Sequence, residues 1–155
     1  MWMLRNLNRL GTSTEELIDV YYKQCRSVLE LAVPAWTPAL TTSESNQIER
    51  VQKTACAIIL GEHYRSYKHA LKTLNMKTLV VRRSELCLSF AIKALKSDKF
   101  SSWFSVNTSK YEKTRSEKEV LNLVKTRTDK YQKSPVPYLT TMLNDHLKSK
   151  ARKKI

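Results

Sequence analysis

Apolar positions are densest between Thr78 and Lys96, where the chain reads TLVVRRSELCLSFAIKALK. Wound as an α-helix, this stretch spreads Leu79, Val80, Val81, Leu86, Cys87, Leu88, Phe90, Ala91, Ile92, Ala94 and Leu95 over most of its circumference. Arg82, Glu85, Ser89, Lys93 and Lys96 share one narrow polar strip. A helix apolar on nearly every side is stable in water only when other elements surround it, so the pattern predicts a buried central helix over about 78–96, with Thr78 as its N-cap. Arg83 falls inside the apolar arc, which predicts a structural ion pair or a snorkelling stem.

The flanking patterns are helical too. Residues 2–10 make a short helix with Trp2, Leu4, Leu7 and Leu10 available for packing, ended by Gly11. Thr12-Ser13-Thr14-Glu15 reads as a capping box, with Thr12 as the cap and Glu15 reaching back. The helix that follows runs to about Val33, with Leu17, Tyr21, Cys25, Val28 and Ala32 on one face. Pro34 and Pro38 bracket an extended corner, VPAWTP, because residues before proline avoid helical angles; Trp36 is expected to plug the core there.

Thr41-Thr42-Ser43-Glu44 is a second capping box, opening a helix to Leu60 that Gly61 terminates. Its stripe is Ile48, Val51, Ala55, Ile58 and Ile59, with Arg50 and Lys53 facing away and Glu49 paired to Lys53 four residues on. Ser66 to Leu74 forms a short helix placing Ala70, Leu71 and Leu74 inward, with Asn75 as its stop.

After Lys96 the pattern thins. Phe100, Trp103 and Phe104 form an aromatic cluster that covers one end of the bundle. From residue 110 onward the chain has 13 Lys or Arg against 5 Asp or Glu and few large apolar groups. Much of that tail is expected to be loosely ordered when alone. Two islands stand out. Val120, Leu121, Leu123 and Val124 suit a helical turn or edge strand, and Pro135-Val136-Pro137 is extended ahead of a short docking helix near 138–147. The whole reads as all-α: a compact helical bundle over 1–104 and a basic, partly disordered carboxy-terminal tail over 105–155. Only 2 glycines and 4 prolines in 155 residues, with scarce alternation of strand type, agree with that class.

Charge changes the picture most. A formal net charge of +14 attracts polyanions, nucleic acid first and anionic membrane second. No helix pairs a basic face with exposed bulky apolar residues, so a membrane partner is not expected. Cys25, Cys56 and Cys87 have no C-x-x-C spacing and sit on or beside apolar faces, as free thiols of a reducing compartment do. No apolar run approaches a membrane span, and Arg5 and Arg9 interrupt the start where a signal peptide needs its apolar region; an intracellular protein, in cytoplasm or nucleus, is expected.

Catalytic chemistry has almost no residue-level support. Gly11 and Gly61 are too few for a phosphate-cradling loop. His63, His69 and His146 lack metal-ligand spacing, and no nucleophile elbow or paired-carboxylate polymerase motif occurs. The expectation is no enzyme, no cofactor, no metal and no small-molecule substrate.

A binding role rests on cations with aromatic rings among them. In the tail these are Lys110, Tyr111, Lys113, Arg115, Lys125, Arg127, Lys130, Tyr131 and Lys133; a tighter cluster is Tyr64, Arg65, Tyr67 and Lys68. Cations contact phosphates and rings stack on exposed bases. The alternative is that the rings pack and the charges are merely solvated, which fits a protein-interaction module without nucleic acid. Both readings stand for Tyr64–Lys68; for the tail, RNA or DNA binding leads, with Lys125, Arg127, Lys130 and Lys133 as its candidate residues.

Four blocks carry a family resemblance: RSVLELAVPAWTPALT (Arg26–Thr41), IERVQKTACAIILG (Ile48–Gly61), SYKHALKTLNMKTLVVRRSELCLSFAIKA (Ser66–Ala94) and YQKSPVPYLTTMLN (Tyr131–Asn144). In order and spacing they resemble the carboxy-terminal region of reverse transcriptases from jockey-like non-LTR retrotransposons, across nearly the whole chain. The resemblance implies the helical portion downstream of the polymerase palm, supporting template or primer. No F/Y-x-D-D motif is present, so no catalytic residue is carried over, and the C-C-H-C knuckle of some related elements is absent. It also implies a truncated reading frame of a degraded element, with MWMLRNLNRLG an internal segment now used as a start. A smaller stretch, Arg5 to about Trp36, is similar to the amino-terminal segment of AlkB-homologue-eight type tRNA-modifying proteins. That similarity implies an accessory association with a dioxygenase or methyltransferase, since the H-x-D…H iron site and a methyl-donor loop are missing.

Overall fold

The computed structural model describes residues 1–105, 121–123 and 125–152, with residues 151 and 152 described by their backbone alone. It is all-α, and no β-strand occurs among the described residues. The helices are α1 (Trp2–Arg9), α2 (Thr14–Val20), α3 (Ser27–Leu29), α4 (Val33–Trp36), α5 (Thr42–Leu60), α6 (Tyr67–Thr73), α7 (Leu79–Lys96), α8 (Asp129–Gln132) and α9 (Pro135–Arg152). The chain divides into two compact units: residues 1–33 with 40–83, and residues 34–39 with 84–155. These bounds differ from a bundle over 1–104 followed by a tail. The tail helices share a unit with the carboxy-terminal part of α7.

In the first unit, Leu4, Leu17, Tyr21, Ala55, Cys56, Ile59, Ala70 and Leu74 form the buried core. Its helix ends are set by local hydrogen bonding. Gly11 at φ +81° closes α1: the Thr12 amide donates to Leu7 O at 3.2 Å and the Gly11 amide to Asn8 O at 3.1 Å. That use of the Thr12 amide explains a correction. The cap of α2 is Ser13, paired reciprocally with Glu16, one residue beyond the expected Thr12 and Glu15. A capping box needs the cap residue's own N–H, and Thr12 has already donated its hydrogen. The second box, Thr41 with Glu44, stands as expected, as do the stop at Gly61 (φ +51°) and the left-handed Asn75 after α6. The same bonding as at Gly11 recurs there, with Met76 N–H donating to Leu71 O at 2.8 Å.

Two further expectations are corrected here. Between α2 and α3, Tyr21–Arg26 adopt a wider π-helical turn. The additional residue rotates everything downstream, so the face that begins with Leu17 and Tyr21 does not continue to Val28, which is 69% exposed. The segment VPAWTP is a helical turn followed by a 3₁₀ turn, Thr37–Ala39. Pro34 sits in the first turn, where its missing N–H costs nothing; Trp36 is half-buried rather than a full plug. On α1, Leu4 is buried, whereas Trp2 and Leu10 lie exposed.

Helix α7 is capped by Thr78, whose hydroxyl accepts from Val81 N–H at 3.3 Å. Its fully buried line is Leu79, Arg83, Cys87, Ala91 and Ala94; Leu86 and Phe90 are half-covered, and Val80 and Val81 are about half exposed. The helix is thus buried along one face, not around its circumference. Arg83 is buried and donates from Nη2 to Ser45 Oγ at 2.6 Å, with no carboxylate paired to it among the described residues.

In the second unit, Phe100 packs against Phe90 and edge-on against Trp103, with ring centroids 6.3 and 4.9 Å apart, and Phe104 is buried. The larger correction concerns the tail. Residues Pro135–Arg152 form one 18-residue helix, far longer than the docking helix expected near 138–147. The two prolines occupy its first turn instead of an extended lead-in. Its buried line, Leu139, Thr140, Leu143 and Asn144, includes two polar residues that disguised it. Thr140 Oγ1 donates back to Val136 O at 2.8 Å. The Asn144 side chain exchanges both bonds with the Leu121 backbone: Oδ1 accepts from N–H at 2.9 Å, and Nδ2 donates to O at 3.0 Å. Leu121 is held there, fully buried. The island positions Val120 and Val124 lie outside the described residues.

Candidate nucleic-acid interface

The two basic clusters are built differently. After α5 the chain turns at Gly61 through a 3₁₀ turn, Gly61–His63, and reaches Ser66, which caps α6 by accepting from His69 N–H at 3.2 Å. This route leaves Arg65 and Lys68 exposed but folds Tyr64 and Tyr67 onto the core of the first unit. The Tyr67 hydroxyl is the middle of a buried polar chain. Tyr21 OH donates to Gln52 Oε1 at 3.0 Å; Gln52 Nε2 donates to Tyr67 OH at 3.0 Å and to Lys77 O at 2.9 Å. Tyr67 OH in turn donates to Glu49 Oε1 in a short hydrogen bond, and the same oxygen accepts from Leu79 N–H at 3.2 Å, at the start of α7. Lys53 Nζ lies over the Tyr67 ring, 5.3 Å from its centroid.

Burial, then the hydrogen bond to Glu49, pushes the Tyr67 phenol well above its ordinary value. Burial also raises Tyr21 and lifts the Cys56 thiol from 9.0 to about 11. A ring whose hydroxyl is bonded to both Gln52 and Glu49 is a core element, so Tyr67 is withdrawn from the set able to stack on a base. Sequence reasoning missed Glu49 and Gln52, both buried. Positions 49, 52, 55, 56 and 59 share one helical face, but the polarity of Glu49 and Gln52 hides it, and Glu49 stands four residues before Lys53 at the spacing of a surface ion pair. In the fold its carboxylate points to Tyr67 and Leu79 instead.

The second cluster stays at the surface. Lys125, Arg127, Lys130 and Lys133 are all exposed, as is Tyr131. Thr128 caps α8 by accepting from Tyr131 N–H at 3.3 Å, which places Lys130 and Tyr131 on that short helix and Lys133 just after it. Lys110, Tyr111, Lys113 and Arg115 lie outside the described residues.

The charges on the two sides of the balance are used unequally. Glu16 and Glu44 are tied to their capping boxes, Asp19 to Lys23 at 2.6 Å, and Glu49 to the buried chain. Glu30 is clasped between Arg26 and Arg82, each at 3.0 Å, with Arg26 also over the Tyr22 ring. By contrast, Arg65, Lys68, Lys125, Arg127, Lys130 and Lys133 have no carboxylate partner among the described residues. No group of three or more metal-binding side chains occurs among the described residues, and none of their helices is long and apolar enough to cross a membrane.

No family model, curated protein or solved structure matches this chain.

Proposed function

We propose that this chain is a non-catalytic helical module that binds nucleic acid through its surface cations, derived from the region downstream of the palm in a jockey-like retrotransposon reverse transcriptase. The observation that carries the binding is the unequal use of charge. Five carboxylates are consumed by caps, clasps and the buried chain, while six exposed cations of the two clusters are unopposed among the described residues. A surplus of +14 presented in this way is satisfied by a polyanion. The block resemblance supplies the origin; sequencing the genomic DNA directly upstream tests it, where an interrupted polymerase frame would support it and intact unrelated sequence would remove it.

The binding is tested with the full chain against structured RNA and duplex DNA at two salt concentrations. Affinity falls steeply with salt, and reversing Lys125, Arg127, Lys130 and Lys133 together flattens the slope on duplex DNA by roughly 3.6, at about 0.9 per phosphate contact. No detectable binding at low salt overturns the reading. A second reading, a protein-interaction module, is favoured by the exposed aliphatics Val28 and Leu31 at the end of α3 and Val80 and Val81 at the start of α7. Charge-neutral replacement of these four leaves nucleic-acid affinity unchanged under the first reading.

A further inference from the structure

Within the second unit, Leu123, Thr126, Gln132, Pro137, Tyr138 and Thr141 line an open hollow of about 330 Å³. It lies at the small end of ligand-sized cavities, enough for one flat ring system. Its lining surface is mostly apolar, contributed by Tyr138, half-buried in α9, with Pro137 and the exposed Leu123. Three groups on it offer directional bonds: the hydroxyls of Thr126 and Thr141 and the amide of Gln132. Thr141 Oγ1 donates to Pro137 O at 3.0 Å, which leaves its lone pairs to accept.

The surrounding charge is what identifies the occupant. Lys125 and Arg127 flank Thr126 in the chain, Lys133 follows Gln132, and Lys130 stands two positions before it; all four are exposed. An open, mostly apolar hollow with a tyrosine in its lining and three polar side chains, bordered along the chain by cations, matches an unpaired nucleotide: the base enters and the adjoining phosphates stay outside. A duplex offers no base to such a slot, because its rings are stacked and paired. A neutral aromatic metabolite makes no use of the four cations.

We infer that this hollow takes one unstacked nucleobase of a single-stranded nucleic acid, with Tyr138 as its stacking wall and Lys125, Arg127, Lys130 and Lys133 on the flanking phosphates. The inference deepens the nucleic-acid reading above and rests on it. The experiment uses the full chain and fluorescently labelled 12-nucleotide strands at one salt concentration: single-stranded RNA, single-stranded DNA, the same DNA made abasic, and a duplex. Base-bearing single strands bind roughly 5–150-fold tighter than the abasic strand, the range expected when stacking of one base is lost. RNA against DNA then tells whether the sugar hydroxyl matters.

Tyr138→Ala erases most of that ratio, while Tyr138→Phe keeps it. Since Tyr138→Ala also removes packing from α9, a second measurement uses the unaltered chain. A strand carrying 4-thiouridine is photo-crosslinked, and the attached peptide is read by mass spectrometry. Attachment within residues 123–141 supports the slot. Equal binding of base-bearing and abasic strands, or crosslinks confined to other segments, overturns it while leaving the charge-based reading intact. Absence of binding to every strand overturns both.

Discussion

Tyr64–Lys68 and Lys125–Lys133 are alike in composition, each a few cations with a tyrosine or two among them, yet the fold treats them in opposite ways. In the first, Tyr67 is anchored by Gln52 and Glu49 and Tyr64 leans on the core. In the second, Tyr131 is exposed on a four-residue helix. The difference is made by what lies opposite. Helix α5 offers a buried amide and carboxylate to Tyr67, and its hydroxyl bonds both groups. Basic-aromatic composition therefore marks a surface only where no buried polar group claims the ring.

The sharpest way to break this contrast is at Glu49. Glu49→Ala leaves the Tyr67 hydroxyl and the Leu79 amide without their acceptor in a buried site, a loss of about 3 kcal/mol. Urea unfolding reads it as a lower midpoint. Lys133→Ala, on the exposed cluster, stays within about 0.5 kcal/mol of the parent. Equal effects at the two positions would mean that the buried chain does not exist in solution.

Tyrosine replacements sharpen it next. Tyr67→Phe removes one hydroxyl, leaving Gln52 Nε2 with only Lys77 O and Glu49 Oε1 with only the Leu79 amide, and costs about 1–2 kcal/mol of stability while leaving nucleic-acid affinity alone. Tyr131→Ala does the reverse: stability holds, and affinity for single strands drops by about 1 kcal/mol or more as an exposed stacking ring is lost. The pair is read by thermal melting and by fluorescence anisotropy on the same samples. Loss of affinity in Tyr67→Phe with full stability would reassign that ring to the interface.

How much of this was legible beforehand follows from the same logic. Caps with unambiguous chemistry were readable: Thr41 with Glu44, the stop at Gly61, Asn75 and Thr78 are where the residue types put them. The capping box before α2 slipped by one residue because three hydroxyl residues stand in a row and the local closure of α1 at Gly11 spends the Thr12 amide on Leu7 O. The length of α9 and the buried face of α5 were hidden for one shared reason. Polar side chains on those faces, Thr140 and Asn144 in one and Glu49 and Gln52 in the other, find partners that a hydrophobic-periodicity reading counts as solvent. The surface cluster was the more legible of the two, because exposure of Lys125, Arg127, Lys130 and Lys133 follows from charge alone.

A smaller and more general effect comes from pH. In the folded chain the Cys56 thiol is lifted by burial from 9.0 to about 11, and burial together with the bond to Glu49 raises Tyr67 above its ordinary 10.0. Tyr21 is raised as well, chiefly by burial. Each is an acid whose neutral form the fold prefers, so in alkali the unfolded chain releases protons that the folded chain still holds. Stability is accordingly undiminished below about pH 9, declines as pH rises through the Cys56 range, and declines more steeply above 10 as the phenols of the unfolded chain ionise. Melting temperatures measured in steps from pH 7 to 11 should fall only in the upper part of that range. Cys56→Ala should delay the onset of the fall, and Tyr67→Phe should make its steep part shallower. A profile flat to pH 11, or one that both variants leave unmoved, would place these groups in water and dissolve the contrast between the buried cluster and the exposed one.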